Sequence, residues 1–199
     1  MNNVIIQFMN LEVEIKTKLD GSEISKILSF LYDRGAVLLE ETIEEDHYFN
    51  SPADDFRETD EALRLRKIRP TGELIDRDLG RLLLTYKGPK IHLDSKTRRE
   101  INIDLDMNQG DSLMELFRSL GFRESGKVIK TRREISYEGF VICLDRVEGL
   151  GNFMEIEKVI SEFKLVDETV DEMKSLITGL AEKEWIRESY LEMCMKGGG

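Results

Sequence analysis

The feature of this sequence that most constrains its fold is a repeated alternation of apolar and charged residues. The segment LEVEIKTK, residues 11–18, alternates Leu11, Val13 and Ile15 with glutamates and lysines. Because successive side chains of a strand point to opposite faces, this pattern predicts a strand with one apolar and one charged face. Similar alternation recurs in ALRLRKIRP, RLLLTYKGP, TRREINID, VIKTRREI, VICLDRVE and NFMEIEK.

Helical spacing of apolar residues occurs at three places. SEISKILSFLYDRG and DSLMELFRSLG end at Gly35 and Gly121, and LVDETVDEMKSLITGLAE is the third predicted helix. Each of the first two helices follows one strand and precedes several, so the chain has two similar halves that begin near Leu11 and Thr97. Short turns favour antiparallel pairing, and closure removes exposed edges. We predict an α+β fold: a closed antiparallel β-barrel with helices packed outside.

The length and composition indicate one domain over residues 1–199, with a core at about residues 9–180 and a loose C-terminal tail. No apolar stretch is long enough to span a bilayer, and the N-terminal MNNVIIQF lacks the basic start of a signal peptide. Cys143 and Cys194 fit no metal motif and suit a reducing compartment. The net charge of −11 argues against a broad nucleic-acid surface. We expect a cytoplasmic protein with neither nucleic-acid nor membrane partners; a homodimer stays open.

The charged strand faces have two interpretations. Half-buried antiparallel strands ordinarily expose their charged face to water. In a closed barrel whose apolar faces contact outer helices, the charged faces point inward instead. Buried carboxylates and cations are costly without a ligand that neutralises them. A polyphosphate carried with Mg²⁺ or Mn²⁺ is such a ligand, because carboxylates bind these metals and Arg and Lys bind phosphate oxygens.

One further motif and one histidine receive no function. GFRESGKV, residues 121–128, begins like a phosphate-binding loop but lacks a Ser or Thr after Lys127. It also follows a predicted helix and precedes a strand, which reverses the context that such a loop requires. His47 is expected to be a solvated or core-edge residue and receives no catalytic role.

Five motifs resemble those of the CYTH superfamily, also called triphosphate tunnel metalloenzymes. EVEIK, residues 12–16, has the ExExK pattern of that family, and ALRLR, LTYKGP, KTRR and LDRVEGLGNFMEIE follow in the family's order. The resemblance covers nearly the whole chain. It implies a closed antiparallel tunnel of eight strands, in agreement with the fold predicted from the strand faces.

The resemblance also implies roles for individual residues and a Mg²⁺ or Mn²⁺ cofactor. The implied metal ligands are Glu12, Glu14, Asp145, Glu155 and Glu157. The implied triphosphate-binding cations are Lys16, Arg64, Arg66, Lys87, Lys130 and Arg132. The residues implied to act in catalysis are Lys87, Arg132 and Asp145. The charged residues that share the inward face with weaker motif support are Lys18, Arg98, Glu100 and Glu134.

TYKGP and DRVEGLGNF look most like the class IV adenylate cyclase branch of the family. This likeness implies conversion of ATP to cyclic AMP and pyrophosphate. One alternative is a triphosphatase that hydrolyses thiamine triphosphate, inorganic triphosphate or a nucleoside triphosphate in the same kind of tunnel. The other is a non-catalytic protein that binds a polyphosphate or nucleotide, which the acidic residues on both the first and the last strand disfavour.

Overall fold

A computed structural model describes residues 11–71, 80–91, 96–176 and 184–197. The segment MNNVIIQF and the last part of the third predicted helix lie outside these ranges. The strands are β1 (Leu11–Leu19), β2 (Val37–Asn50), β3 (Ala62–Pro70), β4 (Arg81–Lys87), β5 (Arg98–Asp106), β6 (Arg123–Tyr137), β7 (Phe140–Val147) and β8 (Gly151–Ile160). The helices are α1 (Gly21–Tyr32), α2 (Gly110–Ser119), α3 (Val166–Leu176) and α4 (Tyr190–Gly197). Within the described ranges, no helix has the length and apolar character needed to cross a membrane.

The eight strands close into one antiparallel barrel in the order β1-β5-β4-β3-β2-β6-β7-β8, and β8 pairs with β1. This confirms the predicted closed antiparallel barrel of eight strands. The predicted duplication is also confirmed, because β1-α1-β2-β3-β4 and β5-α2-β6-β7-β8 have the same order of elements. The seam between β1 and β5 is short, with Leu11 opposite Arg99 and Glu12 opposite Arg98.

The register between neighbouring strands places acidic residues opposite basic ones. Lys16 of β1 lies opposite Glu155 of β8. Asp46 of β2 likewise lies opposite Arg66 of β3. Side chains that are directly opposite on one face of a sheet are about 5 Å apart, close enough for ion pairs. The alternation along each strand therefore becomes charge pairing across strands.

The outward faces of the strands are apolar and pack against helices in two clusters. α1 and α3 cover β1, β6, β7 and β8, where Ile27 and Met173 pack with Val13 and Ile156. α2 covers β2, β3 and β4 through a second set of buried residues: Phe49, Leu65, Leu82, Met114 and Phe117. Burial of apolar surface contributes about 25 cal/mol per Å². The outer helices thus stabilise the barrel and leave its charged faces inside.

The C-terminal segment differs from its prediction as a loose tail. Residues Tyr190–Gly197 form α4, and the Tyr190 ring is buried edge-on against Phe153 with 5.1 Å between ring centroids. A Cβ atom at Gly126 of β6 would collide with Leu191, so a glycine at this position lets α4 approach the barrel. The sequence pattern did not show this helix, because so short a helix depends on tertiary packing for its stability.

The segment GFRESGKV begins in the turn after α2 and continues into β6, which starts at Arg123. Gly121 has φ of +85°, in the left-handed region that favours glycine after a helix end. The order is helix, turn and strand, whereas a phosphate-binding loop joins a strand to a helix. The rejection of this motif as a phosphate-binding loop is therefore confirmed.

Candidate functional site

The charged faces of the strands enclose a cavity of about 310 Å³ inside the barrel. The predicted site residues that line it are Glu12, Glu14, Lys16, Arg64, Arg66, Lys87, Lys130, Arg132, Glu155 and Glu157. Asp145 is also buried, and it accepts hydrogen bonds from Lys130 and Arg132. The inward interpretation of the charged faces is correct, because these side chains are gathered around one internal space.

Three carboxylates, which we call the acidic triad, meet where β1 pairs with β8: Glu12, Glu14 and Glu157. Glu14 lies directly opposite Glu157, and one oxygen from each of the three lies within 4.8 Å of the others. Burial, opposed by Arg132 and reinforced by Glu12, raises the pKa of Glu157 to about 8. Burial also raises the pKa of Glu12 against the pull of Lys87. The three buried carboxylates therefore resist being ionised together.

The acidic triad fits a hard divalent cation. Carboxylate oxygens are the ligands that Mg²⁺ and Mn²⁺ prefer in proteins. Burial is the main cause of the raised pKa values of Glu12 and Glu157, and Lys87 and Arg132 offset it only in part. A divalent ion held by the three carboxylates would remove their mutual repulsion.

Two other predicted metal ligands, Asp145 and Glu155, are paired with cations of the protein. Arg132 Nε donates to Asp145 Oδ1 at 2.8 Å, and Lys130 Nζ donates to Asp145 Oδ2 at 3.0 Å. Glu155 accepts a hydrogen bond from Arg132 and forms an ion pair of 3.3 Å with Lys16. Among the described residues, Asp145 and Glu155 thus each have at least two close cation partners. Each member of the acidic triad has one: Lys87 for Glu12, Lys96 for Glu14 and Arg132 for Glu157.

Strand β2 contributes two carboxylates that the sequence analysis did not single out. Arg66 donates to both carboxylate oxygens of Asp46, at 2.6 and 2.8 Å, and its third nitrogen lies 2.8 Å from Glu44 Oε2. Burial opposes ionisation, but the cations outweigh it, lowering the pKa of Asp46 and lowering that of Glu44 to about 2. The signal in the sequence was the spacing of two carboxylates two residues apart in a predicted strand.

The guanidinium of Arg64 differs from that of Arg66 in how fully it is bonded. Arg64 donates to Thr85 Oγ1 at 3.2 Å, and its ion pair with Asp46 spans 3.7 Å. Its buried Nε has no hydrogen-bond partner among the residues that the structure describes. Arg64 therefore retains donor capacity for a ligand in the cavity.

Two further side chains reach the cavity from outside the strands. Lys96 lies between β4 and β5 and donates from Nζ to Glu14 Oε1 at 2.6 Å. Tyr190 of α4 places its ring centroid 3.9 Å from Lys16 Nζ, and its hydroxyl donates to Asp145 Oδ2 at 2.9 Å. The sequence analysis gave neither residue a role: Lys96 lies before the alternating part of β5, and Tyr190 falls in the predicted tail.

His47 lies on the outward face of β2, one residue from the inward-facing Asp46. Its Nδ1 is 2.7 Å from Glu124 Oε1, and its Nε2 is 2.8 Å from Glu45 Oε1. Lys127 pairs with the same oxygen of Glu45 at 2.9 Å. These contacts form a surface ion cluster outside the cavity, consistent with the absence of a catalytic role in the prediction.

Comparison with known proteins agrees with this geometry. Residues 10–190 match the CYTH domain. The chain belongs to the CYTH family. This CYTH protein is 39% identical over 185 residues to a candidate adenylate cyclase of Methanocaldococcus jannaschii, and the alignment covers 92% of this chain and 98% of that protein.

Two further relatives share the domain. The adenylate cyclase CyaB of Aeromonas hydrophila is 27% identical over 161 residues, which cover 79% of this chain and 75% of that protein. The structure of the PH1819 protein of Pyrococcus horikoshii OT3 superposes with a TM-score of 0.82 at 38% identity, covering 93% of this chain and 98% of that one. CYTH family members are adenylate cyclases or triphosphatases that act on triphosphates such as ATP, so this CYTH protein belongs to a family of enzymes.

Proposed function

We propose that the protein is a divalent-metal-dependent adenylate cyclase that converts ATP to cyclic AMP and pyrophosphate. The observation that carries this proposal is that the acidic triad and a set of cations face the same enclosed cavity. The triad suits Mg²⁺ or Mn²⁺. The cations suit a chain of three phosphates, whose transfer depends mainly on charge neutralisation and positioning.

Different cations of the cavity would contact different parts of the phosphate chain. Arg64, with its free Nε, would donate to a phosphate oxygen. Lys87 and Lys130 would neutralise charge that develops on the departing pyrophosphate. An ion bound at the acidic triad would supply a Lewis acid that lowers the pKa of an attacking hydroxyl.

In the proposed reaction, the ribose 3′ oxygen forms a bond to the α-phosphorus. The bond between that phosphorus and the bridging oxygen breaks, pyrophosphate departs, and the hydroxyl proton passes to solvent. The chain's residues would hold the phosphates so that the attacking and leaving oxygens lie in line. Cyclisation is supported by similarity to the candidate cyclase of Methanocaldococcus jannaschii over nearly the full length of both chains, and by similarity to CyaB.

Hydrolysis of a triphosphate is the second candidate. Most side chains that line the cavity are charged, and those from the β2–β3 loop and α4 include the apolar Phe56 and Leu191. The charged lining would bind the phosphate chain of thiamine triphosphate, inorganic triphosphate or a nucleoside triphosphate whatever group is attached to it. A water molecule near the terminal phosphorus would then give hydrolysis in place of cyclisation.

A cytoplasmic location follows from the proposed substrate, because ATP is a cytoplasmic metabolite. The two cysteines support it. Cys143 and Cys194 are both free, and free thiols suit a reducing compartment.

Product analysis tests the proposal. The full chain is incubated with ATP, thiamine triphosphate or inorganic triphosphate, each with Mg²⁺ or Mn²⁺, and the products are separated by ion exchange. We expect cyclic AMP and pyrophosphate from ATP. If ATP gave ADP and phosphate, or if the other substrates released phosphate and no cyclic AMP formed, the protein would be a triphosphatase and the cyclase proposal would be wrong. Binding without turnover of any substrate would overturn both and leave a nucleotide- or polyphosphate-binding protein.

A further inference from the structure

Lys96 occupies an unusual position in the tunnel, because it enters the acidic region from outside the strands. Its backbone N–H donates to the carbonyl oxygen of Glu14 at 3.0 Å. This bond continues the antiparallel pairing of β1 with β5, in which Glu12, two residues before Glu14, lies opposite Arg98, two residues after Lys96. Since side chains two residues apart share a face, Lys96 points inward together with Arg98. The backbone of β1 therefore sets the position of the Lys96 side chain.

The ammonium group of Lys96 lies between two carboxylates. Its Nζ is 2.6 Å from Glu14 Oε1 and 3.9 Å from Glu155 Oε1. Lys96 is only 7% exposed, so water screens these contacts weakly. Although burial opposes its charge, Glu14 and Glu155 raise the pKa of Lys96. Glu14 therefore belongs to the acidic triad and to an ion pair at the same time.

The position between Glu14 and Glu155 is where a second metal ion would be expected. In two-metal phosphoryl-transfer sites the ions are about 3.5–4 Å apart and share ligands. Glu14 would be the shared ligand here, and Glu155 would be the outer ligand. A second divalent cation would have to share this space with the ammonium of Lys96, and like charges at such distances in a buried site repel strongly.

The protein's own cations already lie close to the carboxylates around this position. Lys16 pairs with Glu155 at 3.3 Å, Arg132 Nη1 lies 3.3 Å from Glu157 Oε1, and Lys87 Nζ lies 3.8 Å from Glu12 Oε1. Less negative charge is therefore left for ions from solution than four unpaired carboxylates would provide.

We infer that Lys96 takes the place of a second metal ion, so that the tunnel binds one divalent cation at the acidic triad. This inference rests on the proposed metal-dependent function. It assigns Lys96 a positioning role: its ammonium holds Glu14 toward the acidic triad and keeps the space beside Glu155 closed to another cation.

Counting bound Mn²⁺ tests the inference without any substrate. The full chain is titrated with Mn²⁺, and free Mn²⁺ is followed by electron paramagnetic resonance. We expect one ion per wild-type chain and two per Lys96→Met chain, because methionine fills similar space without the charge. The first ion should also bind at least about tenfold more tightly to Lys96→Met, since a buried positive charge next to its ligand has been removed.

Two variants serve as controls for this titration. Lys96→Arg keeps the charge and should bind one ion. Lys90→Met removes another lysine of the β4–β5 connection, whose Nζ bonds to Asp60 at 2.5 Å, and should also bind one ion. Lys96→Gln replaces Lys96→Met if circular dichroism shows that the methionine variant is unfolded.

The outcomes distinguish this inference from the proposed function. Two ions in the wild type, or one ion in the folded uncharged variant, would overturn the role of Lys96 and leave metal-dependent turnover intact. No bound Mn²⁺ in any variant would overturn both the inference and the metal dependence. Turnover of ATP to products is measured separately, so a failure of cyclisation does not affect the ion count.

Discussion

The acidic triad lies on β1 and β8, four and three strands away from the carboxylates of β2 in an eight-stranded barrel. Glu157 and Glu44 are both buried glutamates, yet the pKa of Glu157 is raised to about 8 and that of Glu44 is lowered to about 2. Burial alone would raise both values. Their neighbours make the difference, because Glu44 has three cations close by, whereas Glu157 has one, Arg132, and lies beside two other carboxylates.

This contrast assigns different tasks to the two sides of the barrel. In the proposed function, the acidic triad holds a divalent cation from solution. The β2 carboxylates are already neutralised, and they fix the guanidinium of Arg66 through three close contacts. The β2 carboxylates therefore position Arg66, whereas the acidic triad would position a metal ion.

Removal of one triad carboxylate should have the largest effect. In Glu12→Gln we expect turnover to fall by about a thousandfold, since the substitution keeps the shape of a metal ligand and removes its charge. The fold should persist, because Glu12 is only partly buried. Steady-state kinetics at saturating Mn²⁺ measures this. The matched control is Glu134→Gln, which alters a cavity carboxylate outside the triad. Equal losses of turnover in both variants would show that the acidic triad has no special role.

Substitution of Arg66 should mainly affect stability, and substitution of Arg64 should mainly affect triphosphate binding. Arg66→Gln leaves Glu44 and Asp46 without their main partner and should lower the free energy of unfolding by about 3 kcal/mol or more. Arg64→Gln should lower stability less and weaken triphosphate binding by about tenfold or more, because a charged donor to phosphate is lost. Urea unfolding and titration calorimetry with inorganic triphosphate measure the two quantities. Equal destabilisation by both substitutions would contradict the assignment.

The free energy of unfolding should depend on pH through the ionisation of Glu44, one of the two β2 carboxylates. The pKa of Glu44 is lowered from the ordinary value of 4.5 to about 2, so ionised Glu44 stabilises the fold above pH 4.5 and this contribution is lost as the pH falls toward 2. Such a shift corresponds to about 3 kcal/mol.

Comparison of the wild type with Glu44→Gln isolates this contribution. We expect the variant to be less stable by about 3 kcal/mol at pH 7, with the gap narrowing steadily below about pH 5 and closing near pH 2. Denaturant unfolding across this range measures the gap. A difference that stays constant with pH would show that Glu44 acts through packing and not through its charge.

The smallest expected effect concerns α4. Tyr190→Phe removes the hydroxyl that donates to Asp145 at 2.9 Å and keeps the ring next to Lys16. A hydrogen bond to a charged acceptor contributes about 1.5 kcal/mol, so the free energy of unfolding should fall by about that amount. Tyr190→Leu, which also loses the ring, should cost more. No loss of stability in Tyr190→Phe would show that the hydroxyl contributes nothing at this position.

Much of the site was predictable because the decisive pattern is local. Alternation alone identified the residues that share the charged face of β1, β3 and β8, and the ExExK motif singled out Glu12, Glu14 and Lys16. The same rule applied to TIEEDHYF would have indicated Glu44 and Asp46. Lys96 was harder to find, because only its continuation of the ladder with β1 shows that it faces inward.

The sequence by itself determined which side chains share a face of each strand, because the two-residue period of a strand is a property of its own backbone. Only the tertiary structure decided which of them meet. Glu14 and Glu157 are far apart along the chain and become neighbours when β8 closes the barrel against β1. Asp145 and Glu155, which the motifs did not distinguish from the acidic triad, each lie between two or more cations of neighbouring strands. A carboxylate's charge state depends on partners brought by strand order and register, and these long-range contacts leave no trace in the spacing of residues.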